Sequence, residues 1–192
     1  AEQGIEATTI AEIAAAADLG FGTFYNYFAS KEAIVDAVIA ETVQRQLDHL
    51  QQLAATIPDV AEAMAAGIRA VAGLSGEDLA CMGFILQISL TSPERRPVPI
   101  VERLGAGIAR GVAEGRFHAG DQLVARTAIA GSVLAVMQAR AEGRLGAGAA
   151  EEVAACALCM LGLPRAEAEV IAARSHYKVS DGCAALWPGP LA

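Results

Sequence analysis

Histidine, cysteine and aromatic residues are scarce in this chain: three, four and 5% respectively of 192 residues. His49, His118 and His176 are scattered, and none stands beside a Cys, Ser or carboxylate at a spacing suited to a nucleophile or a metal. The carboxylates are dispersed along helix faces. The pattern argues against catalysis and against a metal sensor, and no cofactor or metal is expected. Cys81, Cys156, Cys159 and Cys183 lack the spacing of a disulfide framework, so a reducing cytoplasm is the expected location. Cys156 and Cys159 form a C-x-x-C, but within the apolar helical pattern VAACALCML, with no second pair and no His nearby. They are expected to be buried structural thiols.

Long apolar runs are missing too. The longest uncharged stretches, 79–93 and 127–139, fall short of the ~20 residues a bilayer needs, and Arg126 and Arg140 bracket the second. No membrane span is expected. The opening AEQGIEATT has no basic region and no apolar run, so no signal peptide is expected either. Because the chain starts without Met, residues preceding Ala1 are expected to be missing from it.

What is present is small and apolar. The composition is 54% hydrophobic with a mean hydropathy of +0.40. Much of that is alanine, the best helix former, which buries little area per residue. An all-α fold with close helix contacts follows, in one large domain or two small ones. A formal net charge of −8 argues against nonspecific polyanion binding by the whole chain and leaves a local site open.

Thr9 and Glu12 make a T-x-x-E capping box, so a helix is predicted over 10–16. Asp18 and Gly20 then permit a tight turn, and a second short helix is predicted over 21–27. Ser30 is placed to cap a long helix over 31–55, whose residues Ile34, Val35, Val38, Ile39, Val43, Leu47, Leu50 and Leu53 form one apolar stripe. Pro58 ends it and Asp59 caps a helix over 60–74. Further helices are predicted over 77–90, 100–114, 121–142, 150–161 and 165–174. TSPERRPVP is the clearest loop, and GRLGAGA is another. The tail 176–192 has no periodicity and is expected to be irregular.

In the first two helices, Ile13, Ala14, Ala17, Leu19, Phe24 and Phe28 are spaced to bury one face of each. Phe21, Gly22 and Tyr25 then fall on the outer face of the second, kept slim by Gly20, Gly22 and Thr23. Helix, tight turn, helix is the arrangement that presents a second helix to a major groove. The string TTIAEIAAAADLGFGTFYNYFASKE, residues 8–32, resembles the DNA-binding head of the TetR family of transcriptional regulators. The specific part is GTFYNYF followed by SKE. The match covers about the first 40 residues; beyond it only helix number and lengths agree.

The resemblance implies a head at 1–45, an effector-binding and dimerisation domain at 46–175 and the tail. It implies a homodimer on a palindromic DNA operator, usually a repressor released by a small ligand. Carried over, Thr9, Thr23, Tyr25, Tyr27 and Lys31 match positions that hold phosphates, while Phe21, Gly22 and again Tyr25 match positions facing base edges. Asp18 stands where the family commonly has glycine. Residues 1–40 hold six acids and one base, Lys31. Nonspecific affinity comes mainly from Lys and Arg releasing counterions. This segment alone is therefore expected to bind DNA weakly. The family has a further helix before it, whose end AEQGIEATT resembles.

In the body, the nearly all-apolar 127–137 and the Cys156 helix are candidates for a dimer interface. Two copies would cover their second faces as a four-helix bundle, with Ala128, Ser132 and Ala135 allowing close packing. A ligand site is expected among the helices between residues 60 and 115. There Met82, Phe84, Ile85 and Ile88, with the isolated Gln87, would line an apolar cavity for a largely apolar effector. The alternative is a dimeric helical ligand-binding or interaction protein without DNA binding, motivated by the acidic head.

Overall fold

The computed structural model describes residues 9–12, 28, 30, 33, 37, 40, 44, 47, 48, 50–52, 54–76, 79, 82, 83 and 99–174. The chain divides into two compact units, Ala1–Thr42 and Val43–Ala192. Every regular element among the described residues is a helix.

In the first unit the capping box forms in full. The Thr9 backbone N–H and hydroxyl both donate to Glu12 Oε2, at 2.7 and 2.9 Å, and the Glu12 N–H donates to Thr9 Oγ1 at 3.3 Å. Two donors that the first helical turn would leave unsatisfied are thus paired reciprocally. Ser30 acts as expected too, its Oγ accepting from the Ala33 N–H at 3.2 Å. Phe28 is half-buried. The described positions 33, 37 and 40 are helical, as are 44, 47, 48, 50–52, 54 and 55 of the second unit.

The second unit is built on α1 (Val60–Ala72). Around it stand α2 (Pro99–Ala113), α3 (Gln122–Ala141), α4 (Ala149–Met160) and α5 (Arg165–Ala172). All four touch α1, and α4 also packs against α3 and α5. Four neighbours can approach one helix closely when most of its surface is small and apolar. In α1, Val60, Ala61, Ala65, Ala66, Ile68, Ala70, Val71 and Ala72 are all buried. The described positions 79, 82 and 83 fall on the helix predicted over 77–90 and are helical, as is 76 just before it.

Burying a helix obliges the fold to satisfy its ends. Asp59 caps α1 by accepting from the Ala61 N–H at 2.9 Å. Arg116, in the α2–α3 connection, donates to both Asp59 oxygens at 3.2 and 3.3 Å and pairs with Glu167 of α5 at 2.7 Å. At the other end, Arg140 of α3 donates to the carbonyls of Ala72 and Leu74. Arg69, in the last turn of α1, donates to the carbonyls of Ala172 and Arg174 at 2.8 and 2.7 Å and pairs with Glu151 at 3.2 Å. Glu62 pairs with Arg174.

The α2–α3 connection folds back onto α2. The N–H groups of Arg116 and Phe117 donate to the Gly111 carbonyl at 2.8 and 3.0 Å, helped by Gly115 at φ +70°. This lays the Phe117 ring, 2% exposed, directly on Gly111.

Helix α3 is the one described helix long and apolar enough, by length and composition alone, to cross a membrane, a test that the core helix of a helical bundle also passes. Its length includes Arg126 and Arg140, the charges that bracket the uncharged run 127–139. The helix packs on α1, α2 and α4, and Arg140 is committed to the end of α1.

Two outcomes follow. Burial pushes the Asp59 carboxyl up, but the hydrogen bonds from Arg116 and the Ala61 N–H, with the charges of Arg116 and Arg174, hold it below the usual value of 3.8. A lowered folded-state value means the contribution is present above 3.8 and is lost as pH falls through the folded value. Asp59→Ala should cost about 1–2 kcal/mol at neutral pH in urea denaturation, and the gap to wild type should narrow in acid. Gly111→Ala would place a Cβ 2.1 Å from Phe117 Cδ2. Thermal unfolding should show a loss of about 2–3 kcal/mol, against the gain helix propensity alone would give.

Candidate functional site

A cavity of about 360 Å³ opens in the second unit between α1, α2 and α3 and the helical stretch carrying Leu50 and Ala54. Its walls are Val60, Met64, Ile68 and Val71 from α1, Val101 and Leu104 from α2, and Ile129 and Val133 from α3. The space exists because small residues stand where these helices face one another: Ala54, Ala63, Gly67, Ala106, Gly107 and Ala130. A Cβ on Gly107 would come 2.8 Å from Met64 Cε, so the glycine is what lets the methionine lie across α2. At Gly67 the nearest atom to such a Cβ is Leu50 Cδ2 at 3.8 Å, which leaves room. An apolar enclosure of this size with a few polar groups is the usual form of a small-molecule site.

Arg103 and Arg110 supply the charged groups of the described lining. Arg110 pairs with Glu114 at 2.8 Å and donates to the Pro58 carbonyl at 3.2 Å.

A second surface feature lies on α3. Leu123 and Val124 are 60% and 64% exposed, and Thr127, Ala128 and Ala135 are exposed on the same half of the helix. Ser132 is half-buried and donates its hydroxyl to the Ala128 carbonyl at 2.8 Å. Cys156 and Cys159 on α4 are half-buried free thiols, not the buried ones expected, because they lie on the side of α4 turned away from its buried Val153, Ala154, Ala157 and Leu158. Met160 beside them is 42% exposed. No group of three or more metal-ligating side chains occurs among the described residues.

The residues singled out from sequence fall unevenly. Thr9 is exposed, with its hydroxyl engaged in the capping box. Phe21, Gly22, Thr23, Tyr25, Tyr27 and Lys31 lie outside the described residues, as do Phe84, Ile85, Gln87 and Ile88. Met82 is 2% exposed and is not part of the described cavity wall. The described wall draws on α1 and α2 of the region 60–115 but also on α3, and Met64, Arg103 and Leu104 were not among the residues named from sequence. Glycines inside apolar helices, Gly67 and Gly107, were the available signal.

A helical second unit with an internal, mainly aliphatic cavity is an architecture suited to holding a small molecule. Residues 1–38 match the family described as "Bacterial regulatory proteins, tetR family", and residues 59–174 match "Tetracyclin repressor-like, C-terminal domain". The chain belongs to the TetR family. It is similar to RolR crystallised with its ligand resorcinol, at 30% identity over 94% of this chain and 90% of that one, with a TM-score of 0.71. It is also similar to RolR without ligand, at 32% identity over 93% of each chain, again with a TM-score of 0.71. No curated protein matches it. The chain is therefore a ligand-responsive, DNA-binding transcriptional regulator and not an enzyme. Regulators of this family bind DNA and small-molecule effectors and are typically dimers.

Proposed function

We propose that this chain acts in the cytoplasm as a homodimeric repressor of a palindromic operator, released when a small, largely apolar effector enters the cavity between α1, α2 and α3. The observation that carries this reading is the cavity itself, about 360 Å³ and walled mainly by aliphatic side chains. Resorcinol, the ligand of the similar RolR, is a compact molecule of the same general kind. Leu50 and Ala54 belong both to the cavity wall and to the helical stretch that leads back toward the head. An occupant that displaces them alters the segment connecting effector site and DNA-binding site. It weakens DNA binding to the extent that it prefers the displaced state.

The exposed half of α3 and the thiol side of α4 support dimerisation through these two helices. Ala128 and Ala135, exposed in the single chain, allow a second α3 to approach closely. On DNA, Tyr25 and Lys31 are assigned to phosphates with Thr9, Thr23 and Tyr27, and Phe21, Gly22 and Tyr25 to base edges.

The double variant Ala128→Glu/Ala135→Glu should run as a monomer in light scattering while keeping its helical content. In gel shifts with full-length protein and its own upstream DNA, Tyr25→Ala and Lys31→Ala should each weaken binding about tenfold or more. Lys31→Ala should also reduce the slope of log affinity against log salt by about 1 per head. Binding indifferent to both substitutions would remove this assignment of the head.

A further inference from the structure

The cavity wall holds a positive charge that has no partner among the described residues. Arg103 and Arg110 stand two turns apart on α2, and both line the space. Arg110 is engaged by Glu114 and the Pro58 carbonyl. Arg103 is half-buried and has no hydrogen-bond or ion-pair partner among the described residues. No carboxylate belongs to the described wall. Beside the same turn of α2, Arg126 of α3 lies with its Cδ 3.0 Å and its Nη1 3.4 Å from where a Cβ on Gly105 would stand. Arg126 too lacks a partner among the described residues. An unpaired guanidinium facing an apolar space is partly stripped of water and gains no compensating contact.

We propose that the effector carries an anionic group, a carboxylate on a compact apolar body, and that Arg103 receives it. This rests on reading the cavity as the effector site. The planar guanidinium matches a carboxylate through two parallel N–H···O bonds, and the low-polarity wall strengthens that pairing. The apolar body lies against Met64, Leu104 and Val133. An uncharged phenol such as resorcinol would leave the Arg103 charge uncompensated, so the preferred ligand here differs in charge from that bound by RolR.

The test is calorimetric titration of the full-length protein with benzoate, 4-hydroxybenzoate, 3-phenylpropionate and cyclohexanecarboxylate, each beside its uncharged amide and with resorcinol for comparison. At least one acid should bind about tenfold or more tightly than its amide. Arg103→Gln should abolish that preference while leaving amide binding in place, and Arg103→Lys should retain part of it. Gly67→Phe, which fills the cavity from a position with room for a side chain, should remove binding of acid and amide alike while the protein still melts cooperatively. Failure of every acid to bind at millimolar concentration overturns the anionic effector. So does equal affinity for acids and amides, or equal weakening of both by Arg103→Gln. Amide or resorcinol binding that disappears in Gly67→Phe would keep the cavity as effector site in that event. Binding of any probe that survives Gly67→Phe would remove the cavity reading itself.

Discussion

Burial of a whole helix, ends included, is the constraint on which the second unit depends. Backbone N–H and C=O groups at a helix terminus have no partners within the helix, and in α1 water is largely excluded by four surrounding helices. The first turn is closed by the Asp59 carboxylate, which Arg116 holds in place. The last is closed by Arg140, brought from α3. Arg69 applies the same solution to the end of α5. Arginine suits these positions because one planar group serves several acceptors while its stem packs along apolar surface. The arginines accordingly link α1 to the elements around it, and the unit is held by polar contacts at its ends and aliphatic contacts along its length.

The same economy of side-chain size that lets α1 have four neighbours leaves the space for a ligand. Ala and Gly at facing positions bring helices close where large residues meet small ones, as Met64 meets Gly107. Where small residues meet small residues, the walls stand apart and a cavity opens. Structural arginines are consumed by backbone carbonyls and carboxylates; Arg103 is not, and its position in the wall turns an apolar cavity into one with a preferred charge. The head presents the complementary situation, with six acids and one base in residues 1–40. In the proposed reading, contacts to DNA from residues 8–32 are made by aromatic and small polar side chains and Lys31.

Much of this architecture could be read from local signals. Asp59 and Asp121 announced the starts of α1 and α3, and both accept backbone N–H bonds there. Thr9 with Glu12 formed the box that their spacing implied. The helices predicted over 100–114 and 150–161 occur within one residue at each end. Such signals survive because capping and periodicity involve residues three or four apart, which are neighbours in any helix. The thiols of Cys156 and Cys159 were misjudged because an apolar run does not say which side of its helix is covered. The cavity wall was legible only as a region, since Met64 and Arg103 are brought together by the packing of α1 against α2.

The sequence by itself therefore determined the helical class, the positions of most helices, the DNA-binding segment through the string from Thr8 to Glu32, and the family. Tertiary structure alone decided where the cavity lies, which arginines are spent on helix ends and which one lines the cavity without a partner among the described residues, and which half of α3 is exposed. The physical reason is range. Caps, turns and periodicities act within a turn or two of chain, whereas a cavity and an unpaired charge are defined by what distant helices fail to supply.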